Sequence, residues 1–570
     1  MSLQLVIGSS GYGKSTYIYD DVIKKSIKYP DRNYIVVVPE QYTMETQKKL
    51  VMSHPDKGIL NIDVVSFERL AYKVFEEVGE ENGAVIDDTG KNLIIRHVLE
   101  ECKGSLSFFG NSINKMGFVS ELKSVVSELL QYDIKPDGLK LLRESEGIRG
   151  NRQLYAKLQD ISLVYDRFKE YLSNNYITSE EILDVLCTVI DKSQLIKDSE
   201  IIFDGFTGFT PIQYKLMRLF LIKCSRVCVS VTADTRENIN VYDGMQNLFF
   251  MSKDMVLRLH RICDEEHIEV ERDIILDNVS VSRFSQSQEL GFLEKNLFRY
   301  NYKRYEDDVK NIKLFAASTP KEELQYAISQ IIVLTRKQGY RYKDIAIVSG
   351  DMAAFGTMAG NMLAQNDIPF FVDQKKSVTD NPFVELIRSA IEIVEKGFSY
   401  DSIIRYLRTG MTDIDRNGID MLDNYCLAMG IRGRKAWFNE WKKKSRRKND
   451  IYNYEQLENY RIIITEPLIK LDIALREKTA TVKDYVRALY EFIVELDCQE
   501  KIYNLSKEPD AGNEYGQLYK KVMILFDKMV GLLGDEHVSV KEFADIIDAG
   551  FDEIKVGLIP PSADCIVVGD

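Results

Sequence analysis

Three groups of residues in the sequence have the types and spacing to do chemistry. Gly8-Ser9-Ser10-Gly11-Tyr12-Gly13-Lys14-Ser15 fits G-x-x-x-x-G-K-[ST] at every fixed position, with Thr16 directly behind it. In such a loop Gly8, Gly11 and Gly13 let the backbone turn its N–H groups toward phosphate, and the start of the following helix adds a favourable dipole. Lys14 would reach the β- and γ-phosphates of ATP, and the Ser15 hydroxyl would complete a Mg²⁺ shell. A working NTPase also needs an acidic pair on a later strand. The best fit is Ile201-Ile202-Phe203-Asp204-Gly205-Phe206, an apolar run ending in Asp204, which would assist the magnesium. Gly205 stands where a water-activating glutamate belongs, so the expectation is nucleotide binding without efficient hydrolysis. The plainer alternative makes Asp204 a strand-end aspartate in a turn.

The third group lies far downstream. Residues 431–450 carry nine basic residues (Arg432, Arg434, Lys435, Lys442, Lys443, Lys444, Arg446, Arg447, Lys448) against Glu440 and Asp450. Trp437 and Trp441, the only two tryptophans, lie four apart inside this stretch. Cations for phosphates and aromatics for bases suit contact with single-stranded DNA. The competing reading is a solvated helix pinned by two core tryptophans.

These residues need elements to hold them. Leu3–Ile7 reads as a strand, Lys14 to Ile27 as a helix and Tyr34–Val38 as a second strand ended by Pro39. Strand, helix and strand make a βαβ unit and point to an α/β fold with a parallel sheet covered on both faces. From about Leu60 to Ser199 the pattern is helical, and strand-like runs resume at Glu200–Asp204 and Arg226–Thr232. A second α/β section is expected from a strand at Asn311–Ala317. Its helix has Thr319 as N-cap, Pro320 at the first position and Glu322 closing a capping box, with Leu324, Ala327, Ile328, Ile331 and Ile332 on the apolar face. Strands at Asp344–Val348 and Pro369–Val372 follow, then helices from about Pro382 to Ile554, then a buried strand at Cys565–Val568. A parallel strand without its following helix implies a fragment of a longer polypeptide.

The composition sets the outer limits. At about 150 residues per domain, 570 residues make roughly four domains. With 75 Lys+Arg against 88 Asp+Glu the net charge is −13, and 45% hydrophobic content supplies several cores. Disordered, collagen-like and histone-like classes are excluded, whereas a local basic groove on an acidic protein is not. No signal peptide or apolar stretch of bilayer length is present, and eight scattered cysteines fit a reducing cytoplasm better than a disulfide framework.

The order of the motifs resembles a known family. Gly8–Thr16 near the start, then Val38-Pro39-Glu40-Gln41, then Val65-Ser66-Phe67-Glu68-Arg69-Leu70-Ala71, is similar to the B subunit of the AddAB (RexAB) helicase–nuclease. Phe203-Asp204-Gly205-Phe206, Phe209-Thr210-Pro211-x-Gln213 and Val567-Val568-Gly569-Asp570 resemble the same family, so the likeness spans essentially the whole chain. It implies a UvrD-like architecture of two RecA-like P-loop domains, each with a helical insertion. The boundaries would be 1–75 with 195–290 for the first domain and 76–194 for its insertion. The second would comprise 291–385 with 555–570, truncated, and its insertion 386–554. The resemblance also implies a heterodimer with an A subunit that supplies the motor, work on double-strand breaks, and an inactivated helicase module involved in recognising Chi in single-stranded DNA. The family's nuclease site and iron–sulfur cluster belong to a C-terminal domain and match nothing in this sequence.

Several departures from active helicases agree with the residue-level reading. No adenine-reading glutamine segment precedes Gly8, Gly205 replaces the catalytic glutamate, and Ser349-Gly350-Asp351 stands where active relatives carry a γ-phosphate arginine. Other readings of the same residues are an autonomous P-loop ATPase moving on DNA, a small-molecule kinase, and a scaffold for the partner.

Overall fold

The structure is a computed structural model that describes residues 1–79, 84–113, 115, 117–172, 176–242, 244–278, 282–299, 303–441, 452–507, 512–557 and 564–570. The chain packs as two compact units. The first comprises Met1–Val85, Val126–Leu139 and Leu172–Leu314, and the second Ile86–Val125, Lys140–Tyr171 and Phe315–Asp570. The stretch from 76 to 194 is thus divided between the two.

The first unit is built on a parallel sheet of β1 (Ser2–Gly8), β2 (Tyr34–Val37), β3 (Ile62–Val65), β4 (Glu200–Phe203), β5 (Arg226–Thr232), β6 (Glu269–Val270) and β7 (Ile274–Leu276). The order is β3-β2-β4-β5-β1-β6, with β7 also paired to β1. Every pair is parallel, and the register sets Gly8 against Thr232 and Phe203 against Val229. Side chains alternate between two buried faces, as a covered parallel sheet requires. Val6, Val36, Ile202 and Cys228 pack with Ile18, Val22 and Ile23 of α1 (Lys14–Lys28). Leu5, Ile35, Ile201 and Val229 pack on the other face with Leu70, Val74, Leu216, Phe220 and Leu259. The run Ile62–Val65, inside a stretch that reads as helical, is the edge strand β3: its main chain pairs with β2 from Tyr34 to Val37.

The second unit is mostly helical. Its three-stranded parallel sheet has β8 (Ala346–Val348) and β9 (Phe370–Val372) on either side of β10 (Ile566–Gly569). The helix Pro320–Gln338 starts at Thr319, whose hydroxyl accepts from the Glu322 N–H, and it buries Leu324, Ile328 and Ile331 beside Ile566 and Val568. The Glu322 carboxylate reaches back to the N–H of Ser318 rather than that of Thr319. Residues 311–317 are irregular, not a strand: no described strand pairs with them, and Leu314 is 99% exposed. Phe315 is held instead by stacking on Tyr326, with ring centroids 3.8 Å apart. From Pro382 to Glu553 the described elements are helices around one large core that includes Phe383, Tyr406, Tyr425, Trp437, Leu489 and Phe543. Among the described residues, no helix is long and apolar enough to cross a membrane.

Candidate functional site: a phosphate loop at the edge of the first sheet

Ligands of open parallel sheets bind outside the carboxyl ends of the strands. In the first unit β1 ends there in the loop from Gly8 to Gly13, and α1 begins at Lys14. Gly11 and Gly13 have φ of +82° and +83°, the left-handed region that glycine enters without strain. Gly8 has no room for a side chain, because a Cβ there would lie 2.8 Å from the Leu276 carbonyl oxygen. No side chain caps α1, so its first N–H groups face the loop unspent. Lys14 Nζ donates to the carbonyls of Gly8 at 2.9 Å and Ser9 at 3.0 Å. An ammonium has three donors, so these two bonds hold it across the mouth of the loop with one left for an anion. Burial pushes its pKa below the ordinary lysine value, against the pull of Asp204 and Glu294. Ser15 is half-buried and Thr16 exposed at the start of the helix.

Sequence spacing alone does not reveal the loop's other neighbours. The Arg283 N–H donates to the Gly11 carbonyl at 2.9 Å, and the Phe284 ring lies against both Gly11 and Tyr12. Lys295 Nζ stands 5.9 Å from the Tyr12 ring centroid. Tyr12 is buried, and its hydroxyl has no partner among the described residues. Burial pushes its pKa up, reinforced by Glu294. Just past β5, Asp234 accepts from Arg236 Nε at 2.8 Å and Arg299 Nε at 3.0 Å. Burial works to raise the Asp234 pKa, but the hydrogen bonds from Arg236 and Arg299 hold it well below the ordinary carboxylate range. Burial raises that of Glu294, opposed first by Arg299.

Asp204 leaves the end of β4 as expected, and Gly205 follows with a φ of +83°. The backbone there takes a conformation that a glutamate adopts only under strain. Both Asp204 oxygens already carry hydrogen bonds inside the protein, Oδ1 from Ser230 Oγ at 2.6 Å and Oδ2 from Tyr19 Oη at 2.8 Å. The residues present therefore do not fit a magnesium ion that Asp204 would assist. Neither Tyr19 nor Ser230 was marked by the loop consensus. Tyr19 had a signal, since it lies one helical turn from Ser15 on the same face of α1.

Four of the stretches that carried the family resemblance meet along this same edge. Glu40 and Arg69 form an ion pair at 2.8 Å, with both side chains more than half exposed. Phe67 touches Phe203, Phe206 and Phe209. The Asp204 N–H donates to the Val37 carbonyl, and Gly205 sits against Pro39. Thr210 and Gln213 form a reciprocal capping box that starts the helix Pro211–Lys223, which accounts structurally for that pair. Tyr42 and Tyr72 are 46% and 43% exposed beside the Glu40–Arg69 pair in sequence.

The basic stretch is placed differently. Trp437 is 1% exposed and belongs to the helical core of the second unit. Trp441 is half-buried against Tyr425, and its indole N–H donates to the Ala436 carbonyl at 3.0 Å. Arg434 pairs with the buried Asp472 at 2.6 Å and lies over the Phe438 ring, while Lys435 is exposed. Both indoles are therefore engaged in packing that leaves Trp437 no face for a base. Lys442, Lys443, Lys444, Arg446 and Arg447 lie outside the described residues. In the second unit, Asp351 of Ser349-Gly350-Asp351 caps the helix Met352–Gln365 by accepting the Ala354 N–H.

A family model described as "ADDB, N-terminal" matches residues 5–294. Over its whole length the chain is 43% identical to the ATP-dependent helicase/deoxyribonuclease B subunit of Lachnoclostridium phytofermentans. It is 34% identical to the protein of that name from Clostridium novyi and 33% to that of Thermoanaerobacter sp.. The chain spans half the length of each of these relatives. With its first half matched by the family model and its full length aligned to these relatives, the chain belongs to the AddB family.

Proposed function

We propose that these residues form the helicase-like, DNA-binding part of the B component of a heterodimeric ATP-dependent helicase/exonuclease that processes double-strand breaks for recombinational repair. Two RecA-like modules make up this part, and the A subunit of the complex supplies the active motor. The chain binds ATP at Gly8–Thr16, turns it over poorly, and holds single-stranded DNA with a role in recognising Chi. The names of the relatives support the assignment to such a complex.

The observation that carries the nucleotide reading is the empty-handed start of α1: uncapped N–H groups, two left-handed glycines and Lys14 bridging the loop. Such an arrangement attracts phosphate by hydrogen bonds and dipole together. Poor turnover follows from Gly205, which offers no carboxylate to polarise water. The DNA reading draws support from Gln41, Tyr42, Arg69 and Tyr72, all exposed and close in sequence to the Glu40–Arg69 ion pair, since cations and aromatic faces serve phosphates and bases. ATP binding tests the nucleotide reading directly. The wild-type chain binds ATP, and Lys14→Ala loses tenfold or more in affinity. Equally poor binding by both proteins means that the site is vestigial.

A second reading, an autonomous DNA-dependent ATPase, draws on Glu294, a carboxylate beside Ser9 and Lys14 that could serve as the missing base. Turnover by this chain alone at about 1 s⁻¹ or faster with DNA, abolished by Glu294→Gln, would favour it.

A further inference from the structure

A P-loop ordinarily gathers magnesium between the hydroxyl of its Ser/Thr and a carboxylate on a neighbouring strand. Here the space between Ser15 and Asp204 is taken by the protein itself. The Tyr19 hydroxyl donates to Asp204 Oδ2 at 2.8 Å and lies 3.4 Å from Thr46 Oγ1. The Ser15 hydroxyl is within hydrogen-bonding reach of the same phenol. Ser230, centred between β1 and β4 on β5, holds the other carboxylate oxygen. Asp204 is 6% exposed, Tyr19 8%, Thr46 5% and Ser230 3%. Four buried polar side chains thus satisfy one another without solvent. Magnesium demands near-ideal octahedral geometry and keeps several of its waters. Seating it through Asp204 would push the Tyr19 hydroxyl off its charged acceptor and leave it only the neutral hydroxyls of Thr46 and Ser15, which costs on the order of tenfold in affinity.

The loop has other sources of positive charge. Lys14 bridges it and Lys295 lies over Tyr12, while Arg236 beside them is already paired with Asp234. Together with the uncapped start of α1 the two lysines can balance phosphate directly. We infer that nucleotide binding at this loop is independent of magnesium, with Tyr19 as the residue that keeps the metal from Asp204. This rests on the nucleotide-binding reading above and adds the metal dependence to it.

The test is the affinity of the full chain for ATP and for ADP, measured by titration calorimetry in magnesium and again in EDTA. The wild-type protein is expected to bind ATP with affinities that agree within about twofold in the two buffers. Tyr19→Phe removes only the hydroxyl and frees Asp204 Oδ2, so magnesium should then strengthen ATP binding by roughly tenfold. A thermal melt of Tyr19→Phe verifies that it folds, and the wild-type comparison stands without any variant. Wild-type binding tenfold or more tighter in magnesium overturns the inference while leaving the nucleotide reading intact. Binding in neither buffer sinks both.

Discussion

The phosphate loop of the first unit and the tryptophan-bearing stretch of the second carry comparable signals in the sequence, and the structure puts them to different uses. The loop's residues meet at the end of β1 with backbone donors and a lysine facing one space. The tryptophans face inward, and the arginine beside them pairs with a buried aspartate. The difference lies in what each signal constrains. Eight consecutive positions with fixed glycines and a lysine define a backbone path, and a path defines a site. Charge and aromatic content define only composition, and a large aromatic ring is worth more to a core than to a surface unless something holds it out.

Trp437 gives the sharpest way to break that contrast. If it is a core residue, Trp437→Ala should destabilise the second unit by about 3–5 kcal/mol, read from a urea or thermal unfolding curve. Its indole nitrogen has no acceptor among the described residues, so Trp437→Phe sacrifices no hydrogen bond and should cost far less. A protein that tolerates the alanine in unfolding experiments yet loses its hold on single-stranded DNA would return the tryptophan to the surface role.

The same contrast runs through what was legible in the sequence. β2 and β5 are short runs rich in β-branched residues and buried on both faces, and such runs announce themselves. Ile62–Val65 did not, because Asp63 breaks the apolar run and the long flanks on its C-terminal side are helical. Asn311–Ala317 has the composition of a strand but no described neighbour to pair with, and pairing is a tertiary property that composition does not contain. At the site, Lys14, Ser15 and Asp204 were readable from spacing and strand ends. The hydroxyls of Tyr19 and Ser230 that occupy Asp204 come from positions 185 and 26 residues away, joined only by the sheet order. Arg283 and Phe284 reach the loop because β7 runs beside β1, an adjacency invisible before the sheet is assembled.

Gly205 sharpens the loop's side of the comparison. Its departure from glutamate reads in the sequence as the loss of one catalytic group, whereas the structure adds a backbone at φ +83°. Gly205→Glu should therefore fail to raise ATP turnover, and it should cost about 1–2 kcal/mol of stability from the left-handed conformation. Measurement of steady-state hydrolysis alongside a melting curve separates the two effects. A variant that gains turnover at undiminished stability would mean that the missing carboxylate alone disables the site.

The smallest expected effect on folding is at the other end of the contrast, in Lys442, Lys443, Lys444, Arg446 and Arg447. A solvated charge outside any buried network is worth no more than about 0.5 kcal/mol, so the reading of this segment as a surface one predicts that converting these residues to neutral ones leaves unfolding nearly unmoved. Their effect on DNA is of another kind. Each cation that neutralises a phosphate on a single strand adds about 0.7 to the slope of log affinity against log salt. A basic segment that holds DNA must therefore lose slope when it is neutralised, in proportion to the contacts removed, whereas a merely solvated segment leaves the slope where it was. The salt titration thus tests the cations independently of the tryptophans that adjoin them in sequence. Should the slope fall while Trp437→Phe binds DNA normally, the stretch divides at about residue 441 into a packed half and a phosphate-facing half.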